Sequence, residues 1–240
     1  KPWETASLFG GLDYDLNEEE IEYFKETAIL RGTERQNKWN YLQGSLEEVK
    51  KINDILDGIS TEVVVAGEGV KERFMNLSGK ETSLIHIATH SFYQPDVIEK
   101  IYSSNVTIDE AMNTCGLVFA GANNTGTNSS GEGLLTAAEI SEMDLTGCDL
   151  AVLSACSTGL NVINYDESYG LMRAFKKAGC CSLLLTLWDV DDAITRLFME
   201  EFYVARMSGA NNITALNNAK KAVRKKYHSP KYWAGFILID

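Results

Sequence analysis

The run Cys148-Asp149-Leu150-Ala151-Val152-Leu153-Ser154-Ala155-Cys156-Ser157-Thr158-Gly159 decides how the rest of the chain is read. Leu150 to Leu153 is short, continuous and apolar, as expected of a strand covered on both faces rather than one half open to water. It gives way at once to small and polar residues, and Cys156 is the first of these with reactive chemistry. In an open parallel sheet, ligands bind beyond the carboxyl ends of the strands. A cysteine just past such an end is presented to whatever occupies that crevice. Taken alone, such a cysteine is better read as a small buried hydrophobe. Two other strand ends with matching chemistry shift that reading.

Upstream, Ser83-Leu84-Ile85-His86-Ile87-Ala88-Thr89-His90 reads as a strand ending on a histidine. Downstream, residues 182–188 form a strand that ends in Asp189-Val190-Asp191-Asp192. Further strands are expected at Ala6-Ser7-Leu8-Phe9, broken by Gly10-Gly11, at 61–66, as a hairpin of 117–120 with 133–136, and at 232–239. Between them the pattern turns helical. Ser45-Leu46-Glu47-Glu48 reads as a capping box ahead of Leu46, Val49, Ile52 and Leu56 at helical spacing, with Gly58 ending the helix. Short helices are expected over 70–77 and 137–143, and longer ones over 167–178, from Ile194 to Ala205, and along Ile213, Leu216, Ala219 and Val223. Strands alternating with helices predict an α/β layer structure with a mainly parallel central sheet. One domain over residues 1–240 is expected, with insertions near 17–38, 94–114 and 121–131. Lys1 stands where an initiator methionine would, so a longer parent polypeptide is expected.

Composition narrows the function. At 240 residues and 45% hydrophobic, with 3 prolines, the chain can bury a full core. No apolar run approaches the roughly 20 residues of a membrane helix, and no signal peptide opens the chain. The formal charge of −12 argues against a direct grip on nucleic acid, which needs a basic face. The one basic cluster, Lys220-Lys221 with Arg224-Lys225-Lys226, reads as a solvated helix face. Five cysteines suggest no paired framework, and Cys180-Cys181 look like core; a reducing, cytoplasmic location is expected.

With parallel strands, His90, Cys156 and residues 189–192 all fall on one edge of the sheet, where neighbouring strands are about 4.8 Å apart. An imidazole beside a thiol can take its proton or hold the thiolate as an ion pair, and the thiolate is the nucleophile. Acyl transfer to cysteine then needs backbone N–H groups to stabilise the oxyanion, which the turn at Cys156 and the backbone after His90 can supply. A zinc reading of His86 and His90 fails on geometry, because four residues along a strand separate the rings by roughly 13 Å. His86 is expected to be an interior histidine and His228 structural or solvated. No G-x-S-x-G elbow is present for a serine hydrolase. No metal and no cofactor is expected.

Several ordered blocks resemble the CHAT-domain cysteine peptidases of the caspase and separase clan. They are Leu84 to His90, Gly133-Leu134-Leu135-Thr136-Ala137-Ala138-Glu139-Ile140, Asp149 to Gly159, Ala174-Phe175-Lys176-Lys177-Ala178-Gly179, Leu187-Trp188-Asp189-Val190-Asp191-Asp192 and Tyr232-Trp233-Ala234-Gly235-Phe236-Ile237-Leu238. The opening Leu8-Phe9-Gly10-Gly11-Leu12-Asp13-Tyr14 resembles bacterial members that carry tetratricopeptide repeats ahead of the domain. The resemblance implies a caspase-like three-layer α/β sandwich. It also implies a His–Cys dyad, mapped onto His90 and Cys156, and endopeptidase activity on protein substrates, gated by a sensor domain or activating partner in bacterial defence or regulated cell death. The sequence departs from the family pattern at Ser91, where glycine usually follows the histidine, at Ser157, which replaces an acidic residue, and in the loop from Asn161 to Ser168.

The leading expectation is a cysteine endopeptidase with His90 as base, Cys156 as nucleophile and the backbone of Ser91 and Cys156 as oxyanion donors. Asp189, Asp191 and Asp192 put negative charge on the rim, which suits a lysine or arginine before the scissile bond. An aspartate there also reads as a helix cap. The substrate is expected to bind extended, adding a strand to an exposed edge. The competing expectation is a catalytically silent caspase-like module that signals through protein contacts.

Overall fold

A computed structural model of the chain describes residues 2–16, 38–93, 112–124, 133–154, 165–188 and 190–240. Their elements run β1 (Thr5–Leu12), α1 (Gln43–Ile55), β2 (Ser60–Ala66), α2 (Lys71–Met75), β3 (Leu84–Ala88), β4 (Ser91–Tyr93), β5 (Cys115–Val118), β6 (Leu134–Thr136), α3 (Ala137–Ser141), β7 (Leu150–Leu153), α4 (Tyr165–Lys177), β8 (Ser182–Thr186), α5 (Asp192–Met207), α6 (Asn212–Lys226) and β9 (Phe236–Ile239). A six-stranded sheet has the order β2-β1-β3-β7-β8-β9, and only β9 runs antiparallel to its neighbour. The insertions expected near 17–38, 94–114 and 121–131 lie mostly outside the described residues.

The two-residue period of the strands sorts their side chains onto two faces. Leu84, Ala88, Leu150, Val152 and Leu184 face one way, onto Val49 and Ile52 of α1, Phe198 and Phe202 of α5, and Ala219 and Val223 of α6. Ile85, Ile87, Ala151, Leu153, Leu183 and Leu185 face the other way, onto Phe74 of α2, Ile140 of α3 and Phe175 of α4. Each fully buried aliphatic or aromatic side chain contributes roughly 1.5–3 kcal/mol of burial. Helices on both faces of a mainly parallel sheet make the three-layer sandwich expected from the sequence. A second, antiparallel sheet of order β4-β5-β6 lies beyond the carboxyl end of β3, with the hairpin pairing Leu117 to Leu135.

Several local expectations are corrected. Gly10-Gly11 does not break the first strand: β1 continues through both to Leu12, with a bulge between Phe9 and Leu12. The glycines are there because α1 crosses them closely. A Cβ on Gly10 would lie 2.6 Å from the Ser45 carbonyl oxygen, and Gly11 takes a left-handed φ of 60°. Ser45 and Glu48 form no capping box, since the helix begins two residues earlier, at Gln43. Ser45 Oγ instead donates to the Leu42 carbonyl and accepts the Gly11 N–H at 2.8 Å. The capping box sits at Thr136 and Glu139, at the start of α3. The last strand starts at Phe236, because Pro230–Tyr232 is a 3-10 turn. Strand β8 stops at Thr186, two residues short of Trp188. Ile213 is 55% exposed rather than part of the buried stripe. Cys180 is buried as expected, but Cys181 is exposed.

Candidate active site

Strands β3, β7 and β8 are consecutive parallel neighbours, so their carboxyl ends share one edge. The register pairs Ile87 with Leu153, and Leu153 with Leu185. The Ser154 N–H extends the ladder to the Ile87 carbonyl at 2.9 Å. Counting from that pair, His90 is three residues beyond Ile87, and Cys156 is three residues beyond Leu153. Cys156 and Asp189 themselves lie outside the described residues.

His90 does not sit on a strand end, as the sequence suggested, but on the link between β3 and β4, two residues past Ala88. Its side chain is enclosed: the ring packs against Tyr14 at 5.1 Å and Trp39 at 5.3 Å between centroids. Nε2 lies 2.7 Å from the main-chain oxygen of Asn40. A carbonyl oxygen only accepts, so Nε2 carries the hydrogen, and in the neutral ring Nδ1 is the nitrogen able to take a proton. Tyr14 is held in turn by Thr89, hydroxyl to hydroxyl at 2.8 Å, and Thr89 donates to the Val118 carbonyl. Burial pushes the Tyr14 phenol well above its ordinary range, so it stays neutral beside the imidazole. Trp39 and Asn40 were not singled out in the sequence, and Tyr14 stood only as the end of the Leu8 to Tyr14 stretch, with no role at the site. Asn40 acts through its carbonyl, which every residue type carries, so composition holds no signal for it.

Ser91 opens β4 opposite Leu117. The next pair back is bonded through the Val118 N–H and the His90 carbonyl. Alternation along an antiparallel pair therefore turns the Ser91 N–H away from β5.

The rim aspartates separate in role. Asp191 is the N-cap of α5, its carboxylate accepting the Ala193 N–H at 3.0 Å. Asp192 instead lines a small cavity of about 30 Å³, partly open to solvent, together with Ser45, Glu48, Thr89, Ser154 and Thr186. With Thr195 also on the wall, two carboxylate and five hydroxyl residues line one space at the carboxyl ends of β3, β7 and β8. Sequence reading missed Glu48 here because its S-x-x-E spacing matched a cap.

Behind that cavity His86 is fully buried. Its Nδ1 lies 3.0 Å from Tyr203 Oη, and its Nε2 lies 3.0 Å from Glu48 Oε1, off the line of an aligned hydrogen bond. Burial holds the Tyr203 phenol far above its ordinary range, leaving it a neutral donor. His86 is thus the interior histidine that was expected. Among the described residues no three His, Cys, Asp or Glu side chains cluster as a metal ligand set, and no helix is long and apolar enough to cross a membrane.

This sheet order, with helices on both faces, defines a caspase-like α/β protein. The Arg-specific cysteine proteinase gingipain R shares the fold at a TM-score of 0.54 and 10% identity, over 99% of this chain and 46% of that one. The chain belongs to the CHAT-domain family, whose model matches residues 17–240. Tetratricopeptide repeat protein 28 of Homo sapiens is 26% identical over 216 residues, covering 84% of this chain and 8% of that protein. The Mus musculus protein of the same name is likewise 26% identical, over 84% of this chain and 9% of its own length. This chain therefore spans less than a tenth of the curated relatives it matches.

Proposed function

We propose that this CHAT domain is a cysteine endopeptidase in which His90 takes the proton of Cys156 through Nδ1 and the resulting thiolate attacks a peptide carbonyl. The observation that carries the proposal is the equal offset of the two residues from the paired Ile87 and Leu153 on neighbouring parallel strands. The enclosed, tautomer-fixed state of His90 adds to it. The N–H groups of Ser91 and Cys156 serve as oxyanion donors, and the proton held on His90 then passes to the leaving amine. No cofactor takes part. Asp192, exposed on the rim where it lines that small cavity, favours lysine or arginine before the scissile bond.

The proposal extends to control. An adjoining repeat region, or a partner bound to it, gates the site, in keeping with relatives named for tetratricopeptide repeats. The proposed setting is cytoplasmic, in bacterial defence or regulated cell death.

The test exposes a cell extract to wild-type protein and to Cys156→Ala, then compares newly formed protein N-termini. New termini with the wild type alone support the peptidase. Equal cleavage by both overturns it. Failure of Cys156 to react with peptide-derived electrophiles, with the activating region present, leaves the silent interaction module as the reading.

A further inference from the structure

Asn123 lies outside every motif of the sequence, and it grips the main chain of Trp39 with both ends of its amide. The Trp39 N–H donates to Asn123 Oδ1 at 2.7 Å, and Asn123 Nδ2 donates to the Trp39 carbonyl at 2.9 Å. Its own N–H donates to the Tyr14 carbonyl at 2.8 Å. One residue thus ties together the two segments whose rings, Tyr14 and Trp39, enclose His90. The residue after Trp39 is Asn40, whose carbonyl faces His90 Nε2. Neighbouring bonds fix Asn123 itself: the Gly121 N–H donates to the Asp13 carbonyl, and Asn124 Nδ2 donates to the Asp15 carbonyl, both at 3.0 Å.

We propose that Asn123 is a positioning residue for His90: by clamping Trp39 it holds the Asn40 carbonyl where it keeps the hydrogen on Nε2 and leaves Nδ1 as the base. The proposal rests on the reading of His90 as the proton acceptor of the peptidase. Only a side-chain amide fits the position, because the clamp needs one acceptor and one donor on the same planar group. Aspartate keeps the acceptor but turns a second, negative oxygen toward the Trp39 carbonyl. Alanine loses both bonds.

The test reads the tautomer directly, by NMR of ¹⁵N-histidine-labelled protein above the pH at which the rings titrate. Wild-type His90 is expected to be almost wholly the Nε2–H form. Asn123→Ala is expected to convert it to a mixture with a clear Nδ1–H population, and Asn123→Asp to fall between. His86, buried against Tyr203 and Glu48, reports in the same spectrum that the variant is folded. An unchanged His90 tautomer with intact His86 signals overturns the clamp. Should Asn123→Ala not fold, hydrogen exchange on the wild type decides: a protected Trp39 amide supports the clamp, and exchange at the rate of an open loop rejects it. Alkylation of Cys156 by iodoacetamide at pH 7 is expected to slow about fivefold in Asn123→Ala, the scale of one hydrogen bond's net contribution. The two readings fail separately. A Cys156 that is inert in every variant strikes the peptidase, while the tautomer alone decides the clamp.

Discussion

Ile87 and Leu153 are register partners on two parallel neighbours, and each is followed, three residues later, by one member of the proposed dyad. A thiol paired with an imidazole ionises below the range of a free thiol, whose pKa is about 8.5. The rate of Cys156 alkylation should therefore reach half its plateau well below that pH in the wild type. In His90→Ala the midpoint should rise to about 8.5. Stopped-flow alkylation across the pH range measures both, and coincident midpoints would remove His90 from the chemistry.

Close packing makes Gly10 a point of failure. An added Cβ would meet the Ser45 carbonyl oxygen at 2.6 Å and Val49 Cγ1 at 2.7 Å. Backbone cannot move aside as a flexible side chain would, so α1 must shift off the sheet. Gly10→Ala should cost about 1–3 kcal/mol, the range for overpacking a core. Urea denaturation should show this as a lower midpoint at unchanged slope.

The same contact explains what was and was not legible in the chain. Strands β3, β7 and β8 declare themselves because both faces are covered, which demands uninterrupted apolar runs. Glycines at 10 and 11 look like a stop, yet they mark the crossing of a helix more than thirty residues away in sequence, a fact no local pattern carries. Ser45 and Glu48 have the letters of a capping box, but Gly11 and His86 claim their side chains. At Thr136 and Glu139 the related T-x-x-E pattern does cap a helix, the threonine hydroxyl accepting the Glu139 N–H and donating to its carboxylate. The site divides along similar lines. His90 is visible as a residue type, while Asn40 contributes only a carbonyl and Asn123 only its distance from Trp39.

Tyr203 is the donor that satisfies His86 Nδ1 while Nε2 faces the Glu48 carboxylate. Tyr203→Phe keeps the packing against Trp3 and Phe202 but leaves a buried ring nitrogen without a donor. The expected loss is about 1–3 kcal/mol. Thermal unfolding should fall by roughly 2–4 °C for each of these kcal/mol in a chain of this size. A variant as stable as the wild type would show that His86 is satisfied from elsewhere.

Glu139 ties stability to acid. Burial pulls its carboxyl up, but the Thr136 N–H and Lys71 outweigh burial and hold it below its ordinary value of 4.5. A group depressed on folding stabilises the fold above its unfolded pKa, and the stabilisation is lost as the pH falls through the folded value. The contribution should therefore be complete at neutral pH and fade below about 4.5. Glu139→Gln, which removes the charge that Lys71 and the Thr136 N–H hold, should cost up to about 1 kcal/mol at pH 7. Urea midpoints of the two proteins should converge as the solution is acidified, and a constant gap would assign the loss to packing instead.

Asp192 offers the sharpest test of specificity, because its two neighbours on the rim are excused from it. Asp191 is committed to capping α5, and Glu48 is held against His86. Asp192 lines the cavity that Ser154 also borders, two residues ahead of Cys156. A cationic side chain reaching the rim there meets the exposed Asp192 carboxylate. Even at a protein-like effective dielectric constant near 20, a contact at about 4 Å is worth a few kcal/mol before desolvation is subtracted. Asp192→Asn keeps the shape and removes the charge. It should lower kcat/KM for substrates with lysine or arginine before the scissile bond by about tenfold or more. Substrates with an uncharged residue there should be cleaved nearly as before. Asp191→Asn should instead lower thermal stability through the lost cap and leave that ratio in place. A peptide library cleaved with the same preferences by wild type and Asp192→Asn would move the selectivity away from Asp192 altogether.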